Sequence, residues 1–542
     1  MSDPAPVLDI RGLTVALPGG AERAHAVEDI HLTVRPREIV CVVGESGSGK
    51  SVTAFSVMGL LPGALKPTGG SILLQGEDVL AAGKARLREL RGSRMAMIFQ
   101  EPMTALNPVL PVGDQIAEAL DWHASGLTRA EKAARVRELM DDVHLPDPAT
   151  LARAYPHQLS GGQRQRIMIA MALANEPALI IADEPTTALD VTTQAQILRL
   201  MRELQARHDS GILFITHDFG VVAEIADRVV VMRQGRVVEQ GAADDVLTRP
   251  RHAYTRMLID SVPRAEPPPP RALPGREPVL VTSDVSKTYG DGLFSRGPKR
   301  VIRALDRVSI SLRPGETLGV VGESGSGKST LARCIARFVD PTAGEIRLDG
   351  EEIGMKPTRA LRPYRRRVQV IFQDPYRSLN PRRTVGKSII EGPMNYGTGR
   401  AEALERARSL LDLVGMDPGS LDRFPHEFSG GQRQRIAIAR ALAMEPDVLI
   451  ADEAVSALDV SVQSQVLDLL EAIRDKLGLA ILFITHDLRV AARICDTVAV
   501  MLNGQVVESG PTQDLFANPR HAYTQALFAA APGRGRFGAA AT

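Results

Sequence analysis

The sequence predicts an α/β protein built as two tandem copies of one domain, each around a largely parallel sheet. Three observations carry this. The string GESGSGKS occurs twice, at residues 44–51 and 322–329. Each half then carries further motifs in the same order and at the same separations. The gap from Ser160 to Asp183 equals that from Ser429 to Asp452, and the gap from Asp183 to His217 equals that from Asp452 to His486. Equal spacing over such lengths means one fold used twice. Finally, short β-branched or apolar runs alternate with longer helical patterns, as in parallel sheets joined by crossover helices.

At 542 residues the chain exceeds a single core, and the usual domain size gives about two to four domains. Hydrophobic residues at 44% and charged residues at 24% fit a soluble globular protein. A net charge of +1 excludes a global electrostatic pull toward nucleic acid or an anionic membrane as the main binding mode. The apolar runs at 178–182 and 480–484 are far too short to span a bilayer and read as buried parallel strands. The N-terminus lacks the apolar core of a secretory signal. A cytosolic protein, or one peripheral on the cytosolic face of a membrane, is therefore expected. Cys41, Cys334 and Cys495 have no metal or redox spacing and read as small buried hydrophobes, with Cys41 packing in the core.

The first copy is expected over residues 1–262 and the second over 279–533. Residues 263–278 between them are rich in proline, which stops helices and central strands, so an extended semi-rigid linker is predicted. The Gly/Ala-rich tail at 534–542 is expected to fray. Between the first glycine-rich string and Asp183, helical periodicity predicts a separate helical lobe.

Each GESGSGKS fits the pattern G-x-x-x-x-G-K-[ST] and sits between an apolar strand and a helix, the context that makes it a phosphate cradle. In the first copy Gly44, Glu45, Ser46, Gly47, Ser48 and Gly49 form the loop, and Lys50, Ser51 and Val52 open the helix. In the second, Gly322, Glu323, Ser324, Gly325, Ser326 and Gly327 lead into Lys328, Ser329 and Thr330. Backbone N–H groups and the helix N-terminus attract phosphate oxygens. Lys50 and Lys328 then reach the β- and γ-phosphates, and Ser51 and Ser329 help hold Mg²⁺. Two apolar strands end in Asp183-Glu184 and Asp452-Glu453. A carboxylate pair beside a phosphate loop needs a cation, so Asp183 and Asp452 are assigned to Mg²⁺. Strand alternation turns Glu184 and Glu453 elsewhere, where each can face an attacking water.

With LSGGQ at 159–163 and FSGGQ at 428–432, this ordered set resembles the ATP-binding cassette family over nearly the whole chain. The resemblance implies tandem P-loop NTPase domains, each with a RecA-like α/β core, an antiparallel β subdomain and a helical subdomain. It implies two composite ATP sites: Ser429, Gly430, Gly431 and Gln432 complete the site of Lys50, while Ser160, Gly161, Gly162 and Gln163 complete that of Lys328. It assigns Gln100 and Gln373 to Mg²⁺, the attacking water and communication with a membrane partner. His217 and His486 resemble the histidine that senses the γ-phosphate, and the ALD strings at 188–190 and 457–459 resemble the loop coupling the two sites. Both acidic residues being present, both sites are expected to hydrolyse ATP. Tyr289 matches the aromatic that stacks on adenine, whereas the first half has Leu17 there, so weaker affinity is expected at the Lys50 site.

EPMTALNP at 101–108, DPYRSLNP at 374–381 and RHAYT at 251–255 and 520–524 resemble the oligopeptide/dipeptide/nickel branch of cassette importers, in its fused two-cassette form. That implies ATP-driven import of a peptide or related solute from the cytoplasmic face of the inner membrane. It also implies two transmembrane permease subunits and an extracytoplasmic solute-binding protein, with no nucleic acid. No cysteine follows either RHAYT, so no iron–sulfur cluster is expected. A soluble tandem cassette acting on the ribosome is the alternative; it would call for a longer, charged helical linker. A DNA-repair ATPase would show a zinc-ligand cluster, a heptad insertion or a basic excess. The basic run at 362–367 reads as solvated surface, and the cargo is not written in this chain.

Overall fold

The computed structural model describes residues 5–531 except 22, 124–125, 188, 274, 291–300, 375–377 and 457. The chain divides into two compact units, Met1–Val262 and Pro263–Thr542. The expected tail at 534–542 lies outside the described residues.

In the first unit, β1 (Leu8–Ala16), β2 (His25–Val34), β4 (Lys66–Leu74) and β5 (Glu77–Asp78) form an antiparallel sheet in the order β2-β1-β4-β5. A second sheet comprises β3 (Ile39–Val43), β6 (Met95–Ile98), β7 (Leu179–Asp183), β8 (Gly211–Ile215), β9 (Arg228–Arg233) and β10 (Arg236–Ala242), in the order β10-β9-β3-β8-β7-β6. All its pairs are parallel except β9 with β10. Every residue of β3, β7 and β8 is buried, which is why these strands read as unbroken apolar runs rather than as alternation. Cys41 lies fully buried in β3, packed as a hydrophobe.

Parallel strands joined by crossovers bring their C-terminal ends to one edge, where open α/β sheets place ligands. Val42 pairs with Ile215, Ile215 with Asp183, and Ala182 with Ile98, so the residues after β3, β8, β7 and β6 emerge side by side. The helix α1 (Lys50–Met58) follows β3. The helical lobe is narrower than the sequence suggests: residues 51–98 hold most of α1, then β4, β5, a short helix Lys84–Leu90 and β6, and the longer helices begin only after Ile98. Its principal helices are α2 (Val112–Asp121), α3 (Arg129–Asp142) and α4 (Gly161–Leu173), which pack on one another. Helical periodicity alone could not separate them from the short strands upstream.

The second unit repeats the plan. Its antiparallel sheet, β12-β11-β14-β15, uses β11 (Leu280–Tyr289), β12 (Ile302–Leu312), β14 (Ala343–Leu348) and β15 (Glu351–Glu352). Its larger sheet, β16-β17-β18-β13-β19-β20, uses β13 (Thr317–Val321), β16 (Val368–Ile371), β17 (Val448–Asp452), β18 (Ala480–Thr485), β19 (Thr497–Leu502) and β20 (Gln505–Pro511).

Two surface segments gain partners in the structure. The described residues of the proline-rich stretch form no helix or strand, and the stretch is fastened to the rest of the second unit. Arg271 donates to Asp496, Asp475 and the Gly315 carbonyl, and Gln513 donates to the Pro268 carbonyl. The basic run lies at the surface, as expected, with some of its charges paired there. It forms a short helix, Arg362–Arg367, in which Arg366 pairs with Glu445 and Arg367 with Asp447 and Asp349. Charge counting could not reveal these partners because they lie far away in sequence. Among the described residues no helix is long and apolar enough to cross a membrane.

Candidate active site

The two glycine-rich loops fold alike. Gly44 has φ 151° and Gly322 φ 152°, and a Cβ there would lie 2.2 Å from the Met232 carbonyl oxygen or 2.3 Å from that of Met501. Only glycine allows this close approach. Lys50 Nζ donates to the carbonyls of Gly44 (2.6 Å) and Glu45 (3.0 Å), and Lys328 Nζ to those of Gly322 (2.7 Å) and Glu323 (2.8 Å). Both ammonium groups are thus drawn back into their own loops. Ser48 Oγ is buried with no hydrogen-bond partner among the described residues, the signature of a polar atom that awaits a ligand. A cradle of backbone donors around a buried lysine fits polyphosphate.

Beside each loop stands an acidic pair. Ser51 Oγ donates to Asp183 Oδ1 at 3.2 Å, and Ser329 Oγ to Asp452 Oδ1 at 3.1 Å. Burial pushes the Asp183 carboxyl up to about 6, against the hydrogen bond from Ser51, with the neighbouring Glu184 charge adding to the rise and Lys50 opposing it. Burial raises Asp452 as well. A carboxylate held this uncomfortably beside a hydroxyl has the donor chemistry of a cation site. The residues present therefore fit Mg²⁺.

Glu184 and Glu453 are aimed by backbone turns rather than by strand alternation. Each follows the last residue of its strand with φ at 46° and 50°, the left-handed region. Each turn is secured by a backbone N–H, donated to the Ile215 carbonyl by Glu184 and to that of Ile484 by Glu453 (both 2.9 Å). The expectation that the glutamates diverge from the aspartates holds, but its cause is this turn.

Around each glutamate the sheet edge assembles the other sequence candidates. Gln100 Nε2 donates to Glu184 Oε2 (3.0 Å), and Gln373 Nε2 to Glu453 Oε2 (2.7 Å). His217 Nδ1 lies 3.2 Å from Glu184 Oε1, and His486 Nδ1 3.5 Å from Glu453 Oε1. Thr187 Oγ1 also donates to Glu184 Oε2 at 3.0 Å. Burial would raise the Glu184 carboxyl, but the His217 hydrogen bond and charge, Thr187 and Lys50 together bring it below its usual range. Glu453 is lowered in the same way through His486 and Lys328. Burial opposes the charged form of His486, yet Glu453 and Asp487 raise its pKa. Each cluster can therefore hold an ionised carboxylate in a fixed direction next to a phosphate cradle.

The SGGQ strings form helix N-termini. Ser160 caps α4: its Oγ accepts from the Gln163 N–H (3.2 Å), while Gln163 Oε1 accepts from the Ser160 N–H (2.9 Å). Ser429 and Gln432 make the same reciprocal pair at the start of α7, counting α5 (Val191–His208) and α6 (Lys328–Ile335) before α7 (Gly430–Leu442). Gly162 packs against α5, since a Cβ would meet Thr193 Cγ2 at 2.5 Å, and Gly431 would likewise meet Val462 Cγ1 at 2.2 Å. Gly161 and Gly430 have room. Asp190 caps α5 by accepting from the Thr193 N–H. Ala188 and Ala457 of the ALD strings lie outside the described residues, as do 375–377 of DPYRSLNP.

Leu17 and Tyr289 are equivalent by register, one residue after the pairs Ala16↔His25 and Thr288↔Arg303. Their surroundings differ. Tyr289 is 38% exposed with Lys287 Nζ 5.1 Å from its ring centroid, whereas Leu17 is partly buried and packs against the first core. Sequence reasoning missed Arg23, whose Nη2 donates to the Gly47 carbonyl (2.9 Å) while its buried Nη1 has no partner among the described residues. No motif marks it; its role comes from the turn before β2 folding over the loop. Also missed is the contact of each RHAYT tyrosine with a loop: Glu45 N–H donates to Tyr254 Oη, and Glu323 N–H to Tyr523 Oη.

The chain is similar to known proteins along most of its length. Residues 27–187 and 305–456 match the ABC transporter family, and residues 238–291 and 507–536 match the oligopeptide/dipeptide transporter C-terminal region. A peptidoglycan transport ATP-binding protein of Agrobacterium fabrum is 49% identical over 97% of this chain and 96% of its own length. A glutathione import ATP-binding protein of Salmonella typhimurium is 47% identical over 98% of this chain and 90% of its own. A dimeric ATP-binding cassette solved in a post-hydrolysis state with ADP and Pi is 29% identical, covering 43% of this chain and 98% of its own with a TM-score of 0.38. These matches lend nothing to the ribosomal alternative. The chain belongs to the ABC transporter family, as a two-cassette ATPase of its oligopeptide/dipeptide importer branch.

Proposed function

We propose that this chain powers import of short peptides by hydrolysing ATP at two sites, each made from the phosphate loop of one cassette and the SGGQ segment of the other. The observation that carries the catalytic part is the doubled cluster Gln100–Glu184–His217 and Gln373–Glu453–His486 beside a loop lysine. Lys50 and Lys328 would leave their loop carbonyls for the β- and γ-phosphates. Ser51, Asp183 and the amide oxygen of Gln100 would hold Mg²⁺ in one site, and Ser329, Asp452 and Gln373 in the other. An ion held by these residues would supply positive charge against that of the phosphates. Glu184 and Glu453, kept ionised by their histidines, orient the attacking water and accept its proton. His217 and His486, each linked to a carboxylate, are placed to report the γ-phosphate.

The open space at Gly161 and Gly430 supports the composite sites. Packing explains the second glycine of each signature, but not the first. A close approach by phosphate does. ATP held between the cassettes would favour closure, and hydrolysis followed by phosphate release would favour opening.

Two transmembrane permeases and an extracytoplasmic solute-binding protein would complete the importer on the cytoplasmic face of the inner membrane. The exposed side chains of Phe99, Met103, Val109 and Leu110 follow β6, and Phe372 follows β16. Exposed apolar side chains that follow so closely on the glutamine-bearing strands suit a permease segment. The relatives' names, peptidoglycan transport and glutathione import, favour small peptides as cargo. No iron–sulfur centre belongs to this reading; stoichiometric iron in the purified protein would overturn that.

Uptake of a labelled dipeptide into vesicles carrying the permeases tests the whole. We expect it to need ATP, and Glu184→Gln with Glu453→Gln to lower hydrolysis by about a hundred-fold or more. The single variants should be impaired to a similar degree. Very unequal single variants would refute two equivalent sites, and ATP-independent uptake would refute the reading itself.

A further inference from the structure

We propose that Tyr254 and Tyr523, the tyrosines of the two RHAYT segments, are positioning residues that hold the first peptide of each phosphate loop ready for nucleotide. The proposal rests on the reading that these loops bind ATP.

The peptide joining Gly44 to Glu45 is gripped at both ends. Its carbonyl accepts from Lys50 Nζ at 2.6 Å, and its N–H donates to Tyr254 Oη at 3.3 Å. The phenol donates in turn to the Glu45 carboxylate at 3.1 Å. In the second unit the Gly322 carbonyl accepts from Lys328 Nζ at 2.7 Å, and the Glu323 N–H donates to Tyr523 Oη at 3.0 Å. The arrangement therefore occurs twice.

The rest of the segment aims the tyrosine. Glu239 accepts from the N–H groups of Arg251 (2.7 Å) and His252 (3.1 Å), clamping the start of the helix Ala253–Asp260. His252 Nδ1 caps that helix by accepting from the Tyr254 N–H at 3.1 Å. Glu508 clamps Arg520 (2.8 Å) and His521 (3.1 Å) in the same way, and His521 Nδ1 accepts from the Tyr523 N–H at 3.2 Å. The Arg233 guanidinium lies 4.8 Å from the centre of the Tyr254 ring. Burial raises the Tyr254 pKa, keeping the phenol neutral and able to donate. So the RHAYT pattern has a mechanical meaning: clamped backbone, capping histidine, reaching tyrosine.

The grip matters when nucleotide arrives. Lys50 must then give up the Gly44 carbonyl, and because the peptide unit is planar, whatever holds its N–H also holds its carbonyl against turning. Tyr254 keeps the other end of that peptide in place, so the loop needs less ordering as it closes on phosphate.

Tyr254→Phe removes only the hydroxyl. In a Lys328→Ala background, where the first loop alone is competent, MgADP binding is measured by calorimetry and ATP hydrolysis by steady-state kinetics. Losing the hydrogen bond that holds the Glu45 N–H, together with that to the Glu45 carboxylate, predicts a Kd raised about five-fold, with KM rising and kcat held within about two-fold. Tyr523→Phe in a Lys50→Ala background should give the same result, and it carries the test if Tyr254→Phe fails to fold. Unchanged Kd in the folded variants, or a fall in kcat at constant KM, overturns the proposal. The Lys50→Ala/Lys328→Ala double variant is the separate check on the loops: wild-type MgADP affinity there would sink the ATP-site reading itself.

Discussion

Glu184 and Glu453 adopt left-handed backbone that costs a non-glycine residue about 1–3 kcal/mol, and both halves keep it. The strain directs each carboxylate toward a histidine and a glutamine instead of leaving it beside the aspartate. At the position expected to meet adenine the halves differ instead: Tyr289 offers an exposed ring, whereas Leu17 is partly buried against the first core. Aromatic stacking contributes about 0.5–1.5 kcal/mol. Nucleotide titration should therefore find the Lys328 site, isolated by Lys50→Ala, about 2–10-fold tighter than the Lys50 site isolated by Lys328→Ala. Tyr289→Leu should remove most of that gap. Equal wild-type affinities would count against it, and would point to Arg23 as the compensating contact in the first half.

Among the elements, the signature helices α4 and α7 separate two kinds of glycine that look alike in sequence. Gly162→Ala would press a methyl group onto Thr193, a β-branched residue with little freedom to turn away, and Gly431→Ala onto Val462. Overpacking of this kind costs about 1–3 kcal/mol, to be read as a lowered melting temperature without nucleotide. Gly161→Ala and Gly430→Ala should leave that temperature nearly unchanged while weakening ATP-dependent closure. If both kinds of variant destabilise the free protein equally, the first glycine is structural too. Within each SGGQ, the roles of serine and glutamine were encoded locally, as a reciprocal helix cap at a spacing of three residues that was not recognised in the sequence. Those of the glycines were not encoded locally, because their neighbours come from α5 and from the helix Val460–Leu477, far along the chain.

For the molecule as a whole, the composite sites proposed above would make a prediction that no single cassette could satisfy. Lys50→Ala combined with Ser429→Ala damages one site twice and should leave the other able to trap ATP. Lys50→Ala combined with Ser160→Ala damages both and should abolish trapping. Occlusion of labelled ATP distinguishes the pairs; equal trapping would mean each cassette completes its own site.

The repeated motifs, at equal separations, were enough to specify two α/β copies, their loops, acidic pairs and signature helices, because these rest on local chemistry: turns that need glycine, strands that need unbroken apolar runs, helix starts that need a cap. Contacts between distant segments had to come from tertiary structure. Sheet order alone brings Gln100, Glu184 and His217 to one edge and folds Arg23 over Gly47. It fastens the proline-rich stretch through Arg271 and sets Tyr254 and Tyr523 against the phosphate loops. Such contacts follow from where the chain returns in space, and no spacing rule along the sequence encodes that return.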